Sequence, residues 1–520
     1  MTQLYPILSI EAAQAYESSV LGNDATKTAA AMENAGRAIG EALLKDFTEI
    51  TAWPESPKVL ILGGKGLNTG DAIVACGVLN RVHPRMQAVL VQTVPSSEYS
   101  PIAAAALETL QGSMGERLQL VTSEAFLEQA EAPFDVVIDG LYGHGFRPPL
   151  GEAASTLLQA INARTSIALR VAVDLPSGLG EAVDENAFIS DITYVPGVAK
   201  APCFDKANAT YVGRIRFLEI DPFLEQEATS GQTEFVGSPR AYKALNKVRP
   251  AQTDKRDYGH CLILAGSSQM PGAALMATLG SLHAGAGLVT TLAPATVATQ
   301  IASRVPEAMW RPLPMTPEGG LDVETVRIVA HAATKAQAML IGPGLVLDRA
   351  TVFTLCRVVR ETHIPLVLDA SALTQDIVAA VLGRPLSAGP VIITPHVGEF
   401  ARMHGIKDIS NPIQELIRFS HKYRTVTVLK GSPTYISDGN KLIAMPVGGP
   451  VLARGGAGDI LSGMLASLLA QDPDNPLDVA LQAASWHGAA GDVLARERGA
   501  VAVHTTEMLP FLSDSLRARD

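Results

Sequence analysis

The run Gly455-Gly456-Ala457-Gly458-Asp459 is the segment of this chain best suited to chemistry. Successive backbone amides at a glycine-rich helix start form a hole for the charge on a transferring phosphoryl group. An aspartate at the same positive helix end stays ionised and can accept a proton from an attacking hydroxyl, which makes Asp459 a candidate base. Lys430-Gly431-Ser432-Pro433-Thr434, after the apolar run VTVL, adds an ammonium, amides and hydroxyls suited to nucleotide phosphates. Gly342-Pro343-Gly344 follows AMLI, and Thr394-Pro395-His396-Val397-Gly398-Glu399 follows VII. Singly, the glycines could serve helix packing and His396 could be a structural histidine. Their recurrence at successive run ends favours a shared site.

The first half carries a second set. KVLILGG leads into Lys65-Gly66-Leu67-Asn68-Thr69-Gly70-Asp71, with a helix expected from about Ala72. Such a loop offers amides to an anion and the Asn68 oxygen to a cation or hydroxyl, although a plain tight turn would look the same. FDVVIDG places Asp139 at a run end, followed by Gly143-His144-Gly145-Phe146-Arg147-Pro148-Pro149, and ALRVAVDLPSG presents Asp174 and Ser177. Two carboxylates and a serine hydroxyl converging on the Asn68 oxygen would make an oxygen cage for a monovalent cation, while helix capping could explain each residue singly.

Each of these segments ends a short, nearly continuous apolar run, the pattern of strands buried on both faces between helices. Ligands of open parallel sheets bind beyond the carboxyl ends of the strands, so the run ends should line the sites. The pattern restarts with HCLILAG, AMLIGPG, PLVLDA, VIITPH and TVTVLKG, and a polar stretch from about Glu219 to Tyr258 separates the two series. Two α/β domains are expected, over residues 1–225 and 226–520, since 520 residues exceed what one core holds. A helix is also expected over residues 24–45, containing MENAG at Met32 to Gly36.

A composition of 47% hydrophobic, 18% charged and 5% aromatic residues fits a globular protein with an aliphatic interior and excludes extensive disorder. With 41 Lys+Arg against 52 Asp+Glu the net charge is −11, which argues against nucleic-acid and acidic-membrane partners. No apolar run approaches a membrane span, and the amino terminus does not read as a secretory signal. Cys76, Cys203, Cys261 and Cys356 are scattered without Cys-x-x-Cys spacing, as expected of buried thiols in a reducing cytoplasm. No Gly-x-Gly-x-x-Gly fingerprint marks a dehydrogenase.

In segment order, MENAG, the Gly/Asn loop, IDGLYGHG and VDLPSG make about residues 5–220 resemble the NAD(P)H-hydrate epimerase domain. Residues 240–515 resemble the ribokinase-like, ADP- or ATP-dependent NAD(P)H-hydrate dehydratase, through GPGL, TPHVGE, KGSPT and GGAGD. The run Met270-Pro271-Gly272-Ala273-Ala274, absent from general sugar kinases, strengthens that likeness. Together the halves are similar to the bifunctional NAD(P)H-hydrate repair enzymes. The resemblance implies two α/β/α domains, Rossmann-like then ribokinase-like. It implies hydrated NADH or NADPH as substrate, ADP or ATP as phosphoryl donor, and Mg2+ and K+ as cofactors. Potassium would fall on Asn68, Asp139 and Ser177, with Asp174 as acid/base. The hydrate would be held by Leu67, Asn68, Thr69, Gly70 and Asp71, and by Gly143, His144, Gly145, Phe146, Arg147, Pro148 and Pro149.

In the second half the hydrate would meet Ala273, Gly344, His396, Val397, Gly398 and Glu399. The nucleotide would meet Lys430, Gly431, Ser432, Pro433, Thr434, Gly455, Gly456, Ala457 and Gly458, with Asp459 facing the substrate. Several positions depart from the family pattern: Leu67 replaces an amide side chain, Thr69 and Ala72 replace glycines, Ala457 replaces threonine, Val346 replaces glycine and Ser371 replaces aspartate. A cytoplasmic homo-oligomer is expected. A ribokinase-type kinase would instead leave a stable phosphorylated product, and a non-catalytic N-terminal module would bind hydrate without interconverting its epimers.

Overall fold

Short aliphatic runs become parallel strands, and the glycine-rich segments become the turns at their carboxyl ends. The computed structural model describes residues 2–22, 24–128, 132–226, 231–405 and 412–518. They divide into two compact units, one of Tyr5–Gln232 with Ala495–Ala500, the other of Thr233–Leu494 with Val501–Asp520 and residues 2–4.

In the N-terminal unit a seven-stranded sheet runs in the order Leu118–Thr122, Gln87–Gln92, Lys58–Gly63, Phe134–Gly140, Ile167–Val173, Ile192–Pro196 and Arg214–Leu218. Every neighbouring pair is parallel. Alternate residues feed opposite cores: Val59, Ile61, Val136 and Ile138 pack on one face, Leu60, Leu62 and Val137 on the other. Burial on both faces is why these strands read as continuous apolar runs. The chain order reverses between Lys58–Gly63 and Phe134–Gly140, so a crevice must open where their following segments part.

The helix Ala25–Phe47 starts where expected, with Asp24 accepting from the amides of Thr26 and Lys27. Its MENAG segment lies against the helix Leu67–Val82. A Cβ on Gly36 would come 2.5 Å from Val74 Cβ and 2.7 Å from the Asp71 carbonyl, so only glycine lets the two helices approach this closely.

The C-terminal unit repeats the plan. Its strands lie in the order Met309–Leu313, Leu288–Pro294, His260–Leu264, Ala338–Ile341, Leu366–Leu368, Val391–Ile393 and Val426–Leu429, all parallel. Thr434–Ser437 and Leu442–Met445 then extend the sheet antiparallel. The helix Ala457–Gln471 is buried at every residue from Ile460 to Ala470, as its all-round apolar sequence requires. Gly463 seats it against Ala277 of the helix Pro271–His283, whose Gly280 faces Ile460 in return. The α/β class expected of both halves is what the chain adopts.

Candidate active sites

In the N-terminal unit a cavity of about 480 Å3 opens at the strand reversal. Leu67, Asn68, Asp71, Gly143, His144, Gly145, Phe146, Arg147, Pro149 and Asp174 all line it. The helix expected from Ala72 begins at Leu67, capped by Gly66, so the residues read as a loop form a first helical turn. This turns Thr69 away from the cavity: it is fully buried, its hydroxyl accepting from the Gly64 amide at 2.8 Å and donating to the Gly140 carbonyl at 2.9 Å. Gly70 packs on Met32, where any Cβ would meet the thioether sulfur. Thr69 and Gly70 therefore shape the turn, a correction to their expected place against substrate. Pro148 is likewise not among the lining residues.

Asp139 and Ser177 close on each other beneath the cavity. Asp139 Oδ1 accepts from Ser177 Oγ at 2.7 Å and the Leu141 amide at 3.2 Å, and Oδ2 accepts from the Ser177 amide at 2.7 Å. Ser177 Oγ also accepts from the Tyr142 amide at 2.8 Å. Burial pushes the Asp139 carboxyl up to about 6, against these neutral donors. Asn68 Oδ1 and Asp174 Oδ2 each approach Gly143, where a Cβ would lie 3.0 Å from the first and 3.1 Å from the second. The buried Asn68 amide nitrogen has no hydrogen-bond partner.

Asp174 sits at φ +67, a left-handed conformation uncommon outside glycine and concentrated at functional sites. Its Oδ1 accepts from Lys200 Nζ at 2.6 Å and its Oδ2 from the His144 amide at 3.3 Å, with His144 Nδ1 at 3.6 Å. Burial opposes ionisation of Asp174, but the Lys200 ammonium and His144 overcome it and hold the carboxyl well below the usual range. Burial likewise opposes the His144 charge, yet Asp174 and Glu17 raise its pKa. Asp71, buried beside Asp174 and Glu17, is raised well above an ordinary aspartate.

In the C-terminal unit Lys430 ties the strand ends together. Its ammonium donates to Asp369 Oδ1 at 3.0 Å, and a Cβ on Gly458 would lie 3.4 Å from it, at the start of the helix Ala457–Gln471. Asp459, in that first turn, is pushed up to about 6, by burial first and by Asp369 second, with Lys430 opposing. Of the helix-start amides, Ala457 donates to the Arg454 carbonyl at 3.3 Å, so the hole expected of every amide here loses one donor. Helix geometry leaves Gly456, Gly458 and Asp459 without intrahelical acceptors. Thr434 Oγ1 bonds the Gly431 carbonyl at 3.3 Å, which folds the Lys430 to Thr434 segment back on itself.

Gly344, at φ +66, lies where a Cβ would come 2.7 Å from Ala273 Cβ, which brings those two expected substrate contacts together. Ser371 Oγ donates to the Leu345 carbonyl at 2.8 Å, tying that loop to the turn after Asp369. His396 is a helix cap: its Nδ1 accepts from the amides of Gly398 and Glu399, while Glu399 Oε2 accepts from the His396 amide at 2.9 Å. Its ring is committed to the helix start and Glu399 approaches Lys430 at 3.9 Å, so this segment also has a structural duty that the sequence did not disclose.

A bifunctional NAD(P)H-hydrate repair enzyme from Gloeobacter violaceus is 34% identical to this chain over 504 residues, covering 93% of each. The chain belongs to the bifunctional NAD(P)H-hydrate repair enzymes. A second repair enzyme, from Moorella thermoacetica, is 32% identical over 94% of this chain and 92% of its own. The family of NAD(P)H-hydrate dehydratases matches residues 261–513, and that of YjeF-related protein N-termini matches residues 28–200. Among solved structures, an ADP/ATP-dependent NAD(P)H-hydrate dehydratase from Bacillus subtilis, co-crystallised with ATP and Mg2+, is 31% identical over 54% of this chain and 96% of its own, with a TM-score of 0.46.

Sequence reasoning missed four ionisable residues of this repair-enzyme chain. Lys200 sits in the apolar stretch VPGVAKAP, where a lone lysine signals a buried partner. Asp369 follows the apolar run PLVL and was open to the same strand-end rule as Asp174. Glu17 is one of several polar residues on the helix Ile10–Leu21 and carried no signal. His487 lies in an alanine-rich helix with no signal either. Burial, with Lys430 adding to it, depresses its pKa to about 4, and its Nε2 has no hydrogen-bond partner.

Proposed function

We propose that the protein returns hydrated NADH and NADPH to the reduced cofactors, the C-terminal unit dehydrating the hydrate with ADP or ATP and the N-terminal unit interconverting its C6 epimers. The observation that carries this reading is the convergence of Asp459, Lys430 and Asp369 on one glycine-rich helix start.

Hydration of the nicotinamide ring leaves a hydroxyl at C6 and a hydrogen at C5, and hydroxide is a poor leaving group near neutral pH. Asp459 takes the hydroxyl proton while the oxygen takes the terminal phosphoryl group of the nucleotide. With a pKa of about 6 it is largely ionised at neutral pH, yet basic enough to help. Lys430 and the amides of Gly456 and Gly458 would meet the phosphate charge. The ring nitrogen then expels phosphate, and loss of the C5 proton restores the double bond. The hydrate would lie along Ala273, Gly344 and the His396 to Glu399 segment, and the nucleotide along Lys430 to Thr434 and Gly455 to Gly458.

Among the described residues no group of three or more His, Cys, Asp or Glu side chains could hold a metal by itself. Mg2+ would be carried mainly by the nucleotide phosphates, whose charge it would neutralise, and such binding needs no all-protein cage.

In the N-terminal unit, a protonated His144 gives a proton to the departing C6 hydroxyl. Water adds back to either face of the resulting ring cation, and the proton it releases returns to the His144 and Asp174 pair, whose Nδ1 and Oδ2 lie 3.6 Å apart. Asn68, Asp139 and Ser177 are the proposed holders of K+, since Asp139 is a buried carboxylate partnered by neutral donors and lacks a compensating cation. Three buried free cysteines accord with a reducing, cytoplasmic setting.

Asp459→Asn tests the reading at its base. Turnover of the hydrate should fall by about 100-fold or more, while nucleotide affinity stays within a few fold. Near-normal turnover would overturn the role given to Asp459.

A further inference from the structure

Lys200 is 2% exposed and makes three close polar contacts: Asp174 Oδ1 at 2.6 Å, Glu17 Oε1 at 3.0 Å and the Val198 carbonyl at 3.3 Å. A buried ammonium is costly unless fully paired, so these contacts must be in place whenever the unit is folded. Two elements deliver them. Lys200 belongs to the two-residue strand Ala199–Lys200, whose register pairs it with Leu8. The chain then turns into the helix Ile10–Leu21, which brings Glu17 to the cavity wall. Asp174 arrives from the opposite side, fixed by its left-handed backbone at the end of the strand Ile167–Val173.

We infer that Lys200 is a positioning residue of the N-terminal site: its buried ammonium, spanning Glu17 and Asp174, occupies Asp174 Oδ1 and holds that residue as an anion with Oδ2 left to His144 and the cavity. The inference deepens the epimerase reading and rests on it for the substrate. The groups facing Asp174 are Lys200, His144, Glu17 on the helix Ile10–Leu21, Asp71 on the helix Leu67–Val82, and Cys203, whose Sγ lies 3.5 Å from the Asp174 carbonyl. Lys200 favours ionisation of Asp174 and Asp71 and opposes protonation of His144. Removing its charge therefore moves all three pKa values upward, and the sign of the expected effect is the same whichever group reports it. Glu17 has the complementary duty of balancing the second positive direction of the ammonium. Without it Lys200 would keep only Asp174 and the Val198 carbonyl.

The test uses the full chain with Lys200→Met, Lys200→Arg and Glu17→Gln. Epimer interconversion of hydrated NADH is followed from pH 5 to 9 by NMR and corrected for the spontaneous rate. The dispersed amide NMR spectrum of each variant reports that its N-terminal unit is folded, and dehydration of one epimer reports the same of the C-terminal unit. In K200M, Asp174, left buried without its cation, should protonate within this range and slow epimerisation about tenfold at its acid end, where the wild-type carboxylate stays ionised. K200R should restore the wild-type pH profile at a reduced rate, and E17Q should slow turnover with the profile shifted to lower pH, because Glu17 raises both His144 and Asp71. Wild-type and K200M profiles that superimpose would overturn the inference.

A second readout separates it from the epimerase reading. With aspartate carboxyl carbons labelled, and Asp174→Asn as the blank, Asp174 should stay ionised to lower pH in the wild type than in K200M. Absence of epimerisation by the wild-type protein would sink the epimerase reading, and the carboxyl titration would still decide the role of Lys200: identical Asp174 titrations in both proteins would refute it.

Discussion

Asp369 acts on Asp459 through charge, which makes its removal a clean probe of the dehydratase base. Burial is the largest cause of the raised Asp459 pKa, Asp369 the second, and Lys430 opposes both. Dehydration that needs ionised Asp459 should therefore rise with pH through about 6 and level off above it. In Asp369→Asn the repulsion is lost and Lys430 is released from its 3.0 Å contact, so both changes favour the Asp459 anion. The acidic limb of kcat/KM should move to lower pH, only partly towards an ordinary aspartate because burial remains. A limb that stays in place or moves up would show that Asp369 does not set the acidity of the base. Residues of this kind were legible where a carboxylate ends an apolar run or opens a helix, as Asp174 and Asp459 do. They were illegible where function depends on a partner far away in sequence. Nothing local marks Glu17 as the neighbour of Lys200, or His396 as a ring spent on capping a helix.

Elements were read more securely than their edges. Strands buried on both faces announce themselves as unbroken aliphatic runs, and those around Lys58, Phe134, His260 and Ala338 form as expected. The start of the helix Leu67–Val82 was placed about five residues late, because Gly66-Leu67-Asn68-Thr69-Gly70 has the composition of a loop. The hydrogen bonds that let it coil, from Thr69 to Gly64 and Gly140, involve an adjacent strand that local sequence does not reveal. At the other glycine-rich helix start the requirement is conformational. Gly456 caps the helix Ala457–Gln471 at φ +91, and a side chain there would also run into Met276 Sδ. Gly456→Ala should cost about 1–2 kcal/mol for the left-handed backbone alone, lowering Tm by roughly 2–8 °C. An unchanged Tm in a thermal melt would mean that the cap does not need that backbone.

At the scale of the whole molecule, both units use the same solution, a parallel sheet whose chain order reverses near its middle, with the chemistry beyond the carboxyl ends. The net charge of −11 repels the anionic dinucleotide and nucleotide alike. Attraction must come from local sources: Lys430 and the helix-start amides in one unit, and Lys65 and Arg147 along the cavity of the other. Two units acting on one damaged cofactor make a joint prediction that neither makes alone. The direct test is to give the purified protein an epimer mixture of hydrated NADH with ADP or ATP and Mg2+, and to follow the return of the reduced-nicotinamide absorbance. Complete recovery, dependent on nucleotide, is the predicted result. Recovery that stops at the share of one epimer would contradict the epimerase half, and no recovery with either nucleotide would contradict the account at its centre.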